Sequence, residues 1–84
     1  MKYKIIIEKK AWNFILTQPK PQQERILKAV YQLPDFGDIT KLKGYSDTYR
    51  LRVGNYRIIY IKKDEILQIT VVNAGNRGDI YKSK

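Results

Sequence analysis

Four of the five arginines in this 84-residue chain fall between Thr48 and Tyr81, whereas its twelve lysines are spread along the whole length. A guanidinium is a planar fork of five N–H donors that matches phosphate, while an ammonium is a compact point charge. Arginines concentrated against a lysine background therefore point to phosphate recognition, with or without catalysis. The plain alternative is the solvated outer face of an antiparallel sheet. The chemistry open to such a set is narrow, because the chain has no histidine and no cysteine, the usual sources of a general base or an activated nucleophile. The acidic residues are scattered, with only Asp64 and Glu65 adjacent, so neither a paired-carboxylate site nor an acidic metal cluster is evident. No glycine-rich phosphate loop occurs. Cations and a phenol can still act on RNA, whose own 2′-hydroxyl can attack the adjacent phosphate while the protein positions the strand and stabilises extra negative charge.

The elements that must position these residues can be read from side-chain period. Tyr49, Leu51 and Val53 alternate with Arg50 and Arg52, the two-residue repeat of a strand with a charged outer face. Gly54-Asn55 follows, then a second β-rich run from Tyr56 to Ile61, which is a two-residue hairpin signal. With that loop, Val53 faces Tyr56, Arg52 faces Arg57, Leu51 faces Ile58 and Arg50 faces Ile59. Like charges directly opposite one another destabilise a sheet, so Arg52 and Arg57 require compensation. A turn around 62–65 and a third strand from Ile66 to Val72 complete a meander. Centring that turn between Lys63 and Asp64 puts Leu67, Ile69 and Val71 on the face of Leu51, and Gln68 and Thr70 on the arginine face. Residues 73–77 then leave the sheet near Arg52 and Arg57, bringing Arg77 and Tyr81 into their neighbourhood.

Upstream, Lys2 to Glu8 reads as an opening strand. Lys9 to Thr17 is a helix with an apolar stripe of Ala11, Trp12, Ile15 and Leu16, in which Trp12 reads as core. Gln18 to Pro21 ends it, and Gln22 to Leu33 forms a second helix with Ile26, Leu27, Val30 and Leu33 inward. Pro34 and the 35–38 loop follow, and Ile39 to Lys43 reads as a short edge strand. The expected fold is one α+β domain over residues 1–84. It is a two-layer sandwich in which an N-terminal strand and a helical hairpin precede an antiparallel meander, and Tyr49, Tyr56 and Tyr60 lie on the core face.

Seventeen basic against eight acidic residues give a formal net charge of +9. Such a field attracts polyanions, nucleic acid first, with an affinity that falls as salt is added. No basic amphipathic helix of the membrane-surface kind is present, and three consecutive isoleucines near the N-terminus are too few for a signal peptide or a span. A cytoplasmic protein with no membrane partner is expected.

The segments KLKGYSDTYRLRVGNYRIIY (41–60) and NRGDIYK (76–82) resemble the RelE/ParE superfamily of bacterial toxins, and within it the RelE-like ribosome-dependent mRNA interferases. The helical hairpin and meander fit as well, so the resemblance covers essentially the whole chain. It implies the toxin of a type II toxin–antitoxin system: a metal-independent endoribonuclease without cofactor that cuts mRNA in the ribosomal A site by 2′-hydroxyl attack, leaving a 2′,3′-cyclic phosphate and a 5′-hydroxyl. The implied partners are a cognate antitoxin, the ribosome and mRNA, with operator DNA met only through the antitoxin complex.

Carried over by position, the resemblance implies that Arg50 and Arg52 bind RNA phosphates, Arg57 stabilises the pentacovalent phosphate and Arg77 supports the leaving 5′-oxygen. Tyr81 would stack on a base or orient the 2′-hydroxyl; its other reading is an aromatic packed on the sheet edge. The chain departs from the RelE pattern in two ways. Arginines stand at 50 and 52 where that pattern has lysines, and a guanidinium with a pKa above about 12 does not serve as a base. The spacing from Arg77 to Tyr81 is also shorter. Two other functions fit the superfamily: a ParE-like poison of DNA gyrase without catalysis, and an inactive homologue that binds only antitoxin and DNA.

Overall fold

A computed structural model describes residues 3–76. The order is β1 (Lys4–Ile7), α1 (Lys9–Leu16), α2 (Lys20–Val30), β2 (Asp38–Lys41), β3 (Thr48–Val53), β4 (Tyr56–Lys63), a 3-10 turn (Asp64–Ile66) and β5 (Gln68–Asn76). The strands form one mixed sheet in the order β1-β5-β4-β3-β2, with β1 parallel to β5 and the other pairs antiparallel. The expected α+β sandwich is therefore present, with the edge strand β2 as its fifth strand. Both helices lie on one face of the sheet. Ala11 and Ile15 of α1 and Ile26 and Val30 of α2 are fully buried with Leu51, Ile58, Ile69 and Val71 from the strands. Each of the isoleucine, leucine and valine side chains contributes roughly 1.5–3 kcal/mol on burial.

The hairpin of β3 and β4 has the expected register: Arg52 pairs with Arg57, Leu51 with Ile58, Arg50 with Ile59 and Val53 with Tyr56. Gly54, at φ +59, occupies the first central turn position, where a II′ turn needs a positive φ. β2 then starts at Asp38, just after Gly37 at φ +127. A Cβ on Gly37 would lie 2.6 Å from Leu51 Cδ1, so only glycine lets the chain enter β2 against the core.

The β4–β5 connection differs from the sequence reading. β4 continues through Lys63, and the 3-10 turn ends at Leu67 in the left-handed region at φ 49. β5 therefore starts later and runs on to Asn76 instead of leaving the sheet at 73. A register shift follows: Tyr60 pairs with Val71 but Ile59 pairs with Asn73, so Val72 is the additional residue of a bulge. Ile69 and Val71 keep the expected core face. Beyond the bulge, Ala74 takes the core face opposite Ile58 and Gly75 lies opposite Arg57.

The helical stripe was also misplaced by the sequence. Trp12 and Leu16 are 36% and 51% exposed, and the inward side of α1 is Ala11, Phe14 and Ile15. With one residue per 100°, the 11/15 and 12/16 pairs compete for the centre of the stripe. The small Ala11 allows α1 to lie against β5, and Trp12 becomes one wall of a shallow hollow with Ile7 and Tyr31. Helix α2 begins earlier than expected, after Pro19, and ends at Val30, while Leu33 stays buried in the turn that follows.

The end of the sheet away from the Gly54 turn is tied by polar contacts. Lys63 Nζ lies 2.7 Å from Asp47 Oδ2, and Tyr3 donates to Asp64 Oδ1 at 2.7 Å. Those partners hold the Asp47 and Asp64 carboxyls below their usual range and raise Lys63 and Tyr3.

Candidate functional site

The sheet face opposite the helices carries the arginines. One transverse row crosses it from edge to interior, Asp38–Arg52–Arg57–Gly75, each residue the Cα partner of the next. The neighbouring row is Thr40–Arg50–Ile59–Asn73. Strand alternation and the two-residue turn thus bring Arg50, Arg52 and Arg57 together as expected. Arg77 and Tyr81 lie outside the described residues. β5 carries the chain as far as Asn76, whose Cα partner is Tyr56 beside Arg57.

The three guanidiniums do not share one environment. Arg52 is exposed, and its Nε sits 2.9 Å from Asp38 Oδ2. This ion pair supplies the compensation that the facing arginines required. In the sequence Asp38 reads as a loop residue, and no local signal assigns it to Arg52. Asp38 reaches Arg52 because β2 begins one residue before the expected strand, ends at Lys41 and pairs antiparallel with β3.

Arg57 differs sharply. It lies on the central strand and is only 7% exposed, the single buried charged residue among those described. Its Nη1 donates to the Tyr56 carbonyl at 3.3 Å, and its buried Nε has no partner. Among the described residues no carboxylate pairs with it. A buried donor without an acceptor is costly, and a buried guanidinium without a counter-charge more so. A buried polar group left without a partner in a folded protein calls for an explanation, and an absent ion is one. Glycine at 75 leaves no side chain on the β5 side of Arg57.

The helix-free face thus gathers three guanidiniums, Arg52 and Arg57 directly across from each other and Arg50 one row away. Arg50 is half-buried and has interactions of its own. Among the described residues no group of three Asp, Glu, His or Cys side chains gathers where a metal ion could be held. No described helix is long and apolar enough to cross a membrane.

Residues 5–81 match the model of a family described as the ParE toxin of the type II toxin–antitoxin system parDE. The chain belongs to the ParE toxin family. A chain in the archaeal RelE–RelB complex from Pyrococcus horikoshii is 30% identical, with 94% of this toxin and 99% of that chain covered and a TM-score of 0.77. One in the RelB–RelE antitoxin–toxin complex from Methanococcus jannaschii is 28% identical over 90% of this toxin and 94% of that chain, with a TM-score of 0.75. The isolated Escherichia coli RelE toxin shares the fold at a TM-score of 0.74, with 22% identity over 94% of this toxin and 90% of that chain. No curated protein sequence matches it. The toxin is thus a member of the RelE/ParE superfamily with a RelE-like fold.

Proposed function

We propose that this toxin is a ribosome-dependent endoribonuclease that cuts mRNA in the A site without a metal ion. The observation that carries the reading is Arg57, buried on the helix-free face with an unsatisfied Nε and a second guanidinium directly across from it. A scissile phosphate bound there would satisfy the orphan donor and become more tightly held as charge builds on its equatorial oxygens. In the proposed reaction the 2′-oxygen attacks the adjacent phosphorus, the bond to the 5′-oxygen breaks, and a 2′,3′-cyclic phosphate and a 5′-hydroxyl result. Arg57 stabilises the pentacovalent state, Arg50 and Arg52 hold flanking phosphates, and Arg77 supports the departing 5′-oxygen. Tyr81 stacks on a base or orients the 2′-hydroxyl. The 2′-hydroxyl gives its proton to solvent water and the departing 5′-oxygen takes one from water, because a guanidinium does not serve as a base.

A cognate antitoxin is the second proposed partner, supported by similar chains that occur in complexes with RelB antitoxins. Operator DNA would be reached through that complex. The competing reading, a poison of DNA gyrase without chemistry of its own, is favoured by the ParE name of the matched family. Primer extension on mRNA after induced expression separates the two. Cuts within codons that vanish with Arg57→Ala support cleavage, whereas intact mRNA together with inhibited gyrase supercoiling refutes it.

A further inference from the structure

A second polar cleft lies on the helical side of the same hairpin turn. It has a volume of about 420 Å³ and is lined by Gln22 and Arg25 of α2, Gly54 and Asn55 of the turn, Tyr56, and Asn76 at the end of β5. Arg25 is the one arginine outside the stretch from Thr48 to Tyr81. Folding nonetheless brings it to the turn that joins the two arginine strands. A methyl group built on Gly54 would lie 3.2 Å from Arg25 Nη2 and 3.3 Å from both Cζ and Nη1. Three such similar distances mean that the guanidinium presents its plane to the glycine, and the missing side chain gives it room.

Two features separate this arrangement from an ordinary surface arginine. Arg25 is exposed, and among the described residues its guanidinium has neither an ion pair nor a hydrogen bond while it lies over the glycine of the turn. Tyr56 beside it is braced, its hydroxyl donating to Gln18 Oε1 at 3.0 Å and its ring edge-on to Phe14 at 6.0 Å between centroids. The cleft therefore combines free guanidinium donors, a rigid aromatic wall and the amides of Gln22, Asn55 and Asn76. Amides offer both donors and acceptors to a base edge or a ribose, and a guanidinium suits the phosphate. The Gly54-Asn55 turn is a rim only two residues wide, with Arg52 and Arg57 on one side and Arg25 on the other.

We propose that an RNA strand crosses this rim, and that the Arg25 cleft binds a nucleotide adjoining the one held on the arginine face, its phosphate on Arg25. The proposal rests on the RNA-cleaving reading above and adds a subsite to it. A phosphate of ribosomal RNA is the competing occupant of the cleft, and two binding measurements distinguish it from the message. One is fluorescence anisotropy with a labelled seven-nucleotide RNA bearing 2′-methoxy groups, which cannot be cut. The other is co-sedimentation with vacant ribosomes. Lys28→Gln, the same charge change on the outer side of α2, is the control.

Arg25→Gln should weaken oligonucleotide binding roughly tenfold relative to Lys28→Gln. It should also lower the slope of log affinity against log salt by about 0.7, the value for one phosphate contact on a single strand. Loss with the oligonucleotide supports the subsite, whereas loss with vacant ribosomes alone means that Arg25 meets ribosomal RNA and overturns it. Asn55→Asp places a carboxylate in the cleft without touching Arg25 and should weaken binding too, so it carries the test if Arg25→Gln fails to fold. Should the wild-type chain cut mRNA while both cleft variants bind like the control, the subsite is refuted and the cleavage reading stands. A wild-type chain that neither binds RNA nor cuts it overturns both.

Discussion

Replacing Arg57 by methionine should make the toxin more stable and nearly inactive at once. Arg57 is 7% exposed, makes one hydrogen bond of 3.3 Å to a backbone carbonyl, leaves Nε unsatisfied and faces Arg52 across the strand pair. An unsatisfied buried donor costs about 1–3 kcal/mol. Methionine keeps an unbranched stem of similar length and removes that penalty, so a gain of about 1–3 kcal/mol is expected. In a domain of this size, each 1 kcal/mol raises Tm by about 4–8 °C. Loss of one donor aimed at developing charge should cost roughly 10² to 10³ in rate. Thermal unfolding followed by circular dichroism gives the first quantity, and single-turnover cleavage on programmed ribosomes the second. A lower Tm combined with cleavage within threefold of wild type would show that Arg57 is structural, and the reasoning would fail.

Asp38→Asn removes the counter-charge of Arg52; because both side chains are more than half exposed, stability should change by no more than about 1 kcal/mol while RNA binding tightens. Weaker binding in the anisotropy assay would mean that Asp38 orients Arg52 rather than competes for it. Ile58→Ala empties a fully buried site on the central strand and should cost about 2–5 kcal/mol in urea unfolding. That is a large share of the roughly 4–13 kcal/mol expected for a chain of 84 residues. Burial, with Tyr49 stacked nearby, pushes the Tyr60 phenol up to about 12. A folded pKa above the unfolded value of about 10 gives stability that is complete below pH 10 and lost as pH rises toward 12. Tyr60→Phe should therefore flatten the fall in Tm over that window, and an unchanged profile would show that other groups govern alkaline unfolding.

The arginine face was legible in the sequence because it rests on two short-range rules. Alternation sets which side chains share a face, and a two-residue loop leaves only one register, so Arg50, Arg52, Arg57 and the core face of Leu51, Ile58 and Tyr60 follow by counting. Where a turn has no such signature, counting fails. The 3-10 turn with left-handed Leu67 and the bulge at Val72 depend on how β5 fits between β4 and β1, and no local pattern in residues 62–76 specifies them. The bulge in turn decides that Gly75, and not a larger residue, lies opposite Arg57.

Other features required the assembled molecule for the same reason. Whether the 11/15 or the 12/16 pair faced inward depended on the shape of the sheet beneath α1, since both satisfy the helical period. Arg57 is buried and Arg52 beside it is exposed, although the two arginines are alike in the strand pattern. Asp38 and Arg25 became neighbours of the arginine hairpin only when β2 paired with β3 and α2 came over the Gly54 turn. Sequence by itself determined which residues could form a cationic face, because periodicity and turn chemistry are local. The tertiary structure decided which of those cations are paired, which is buried without a partner and which cleft adjoins them, because burial and pairing belong to residues far apart along the chain.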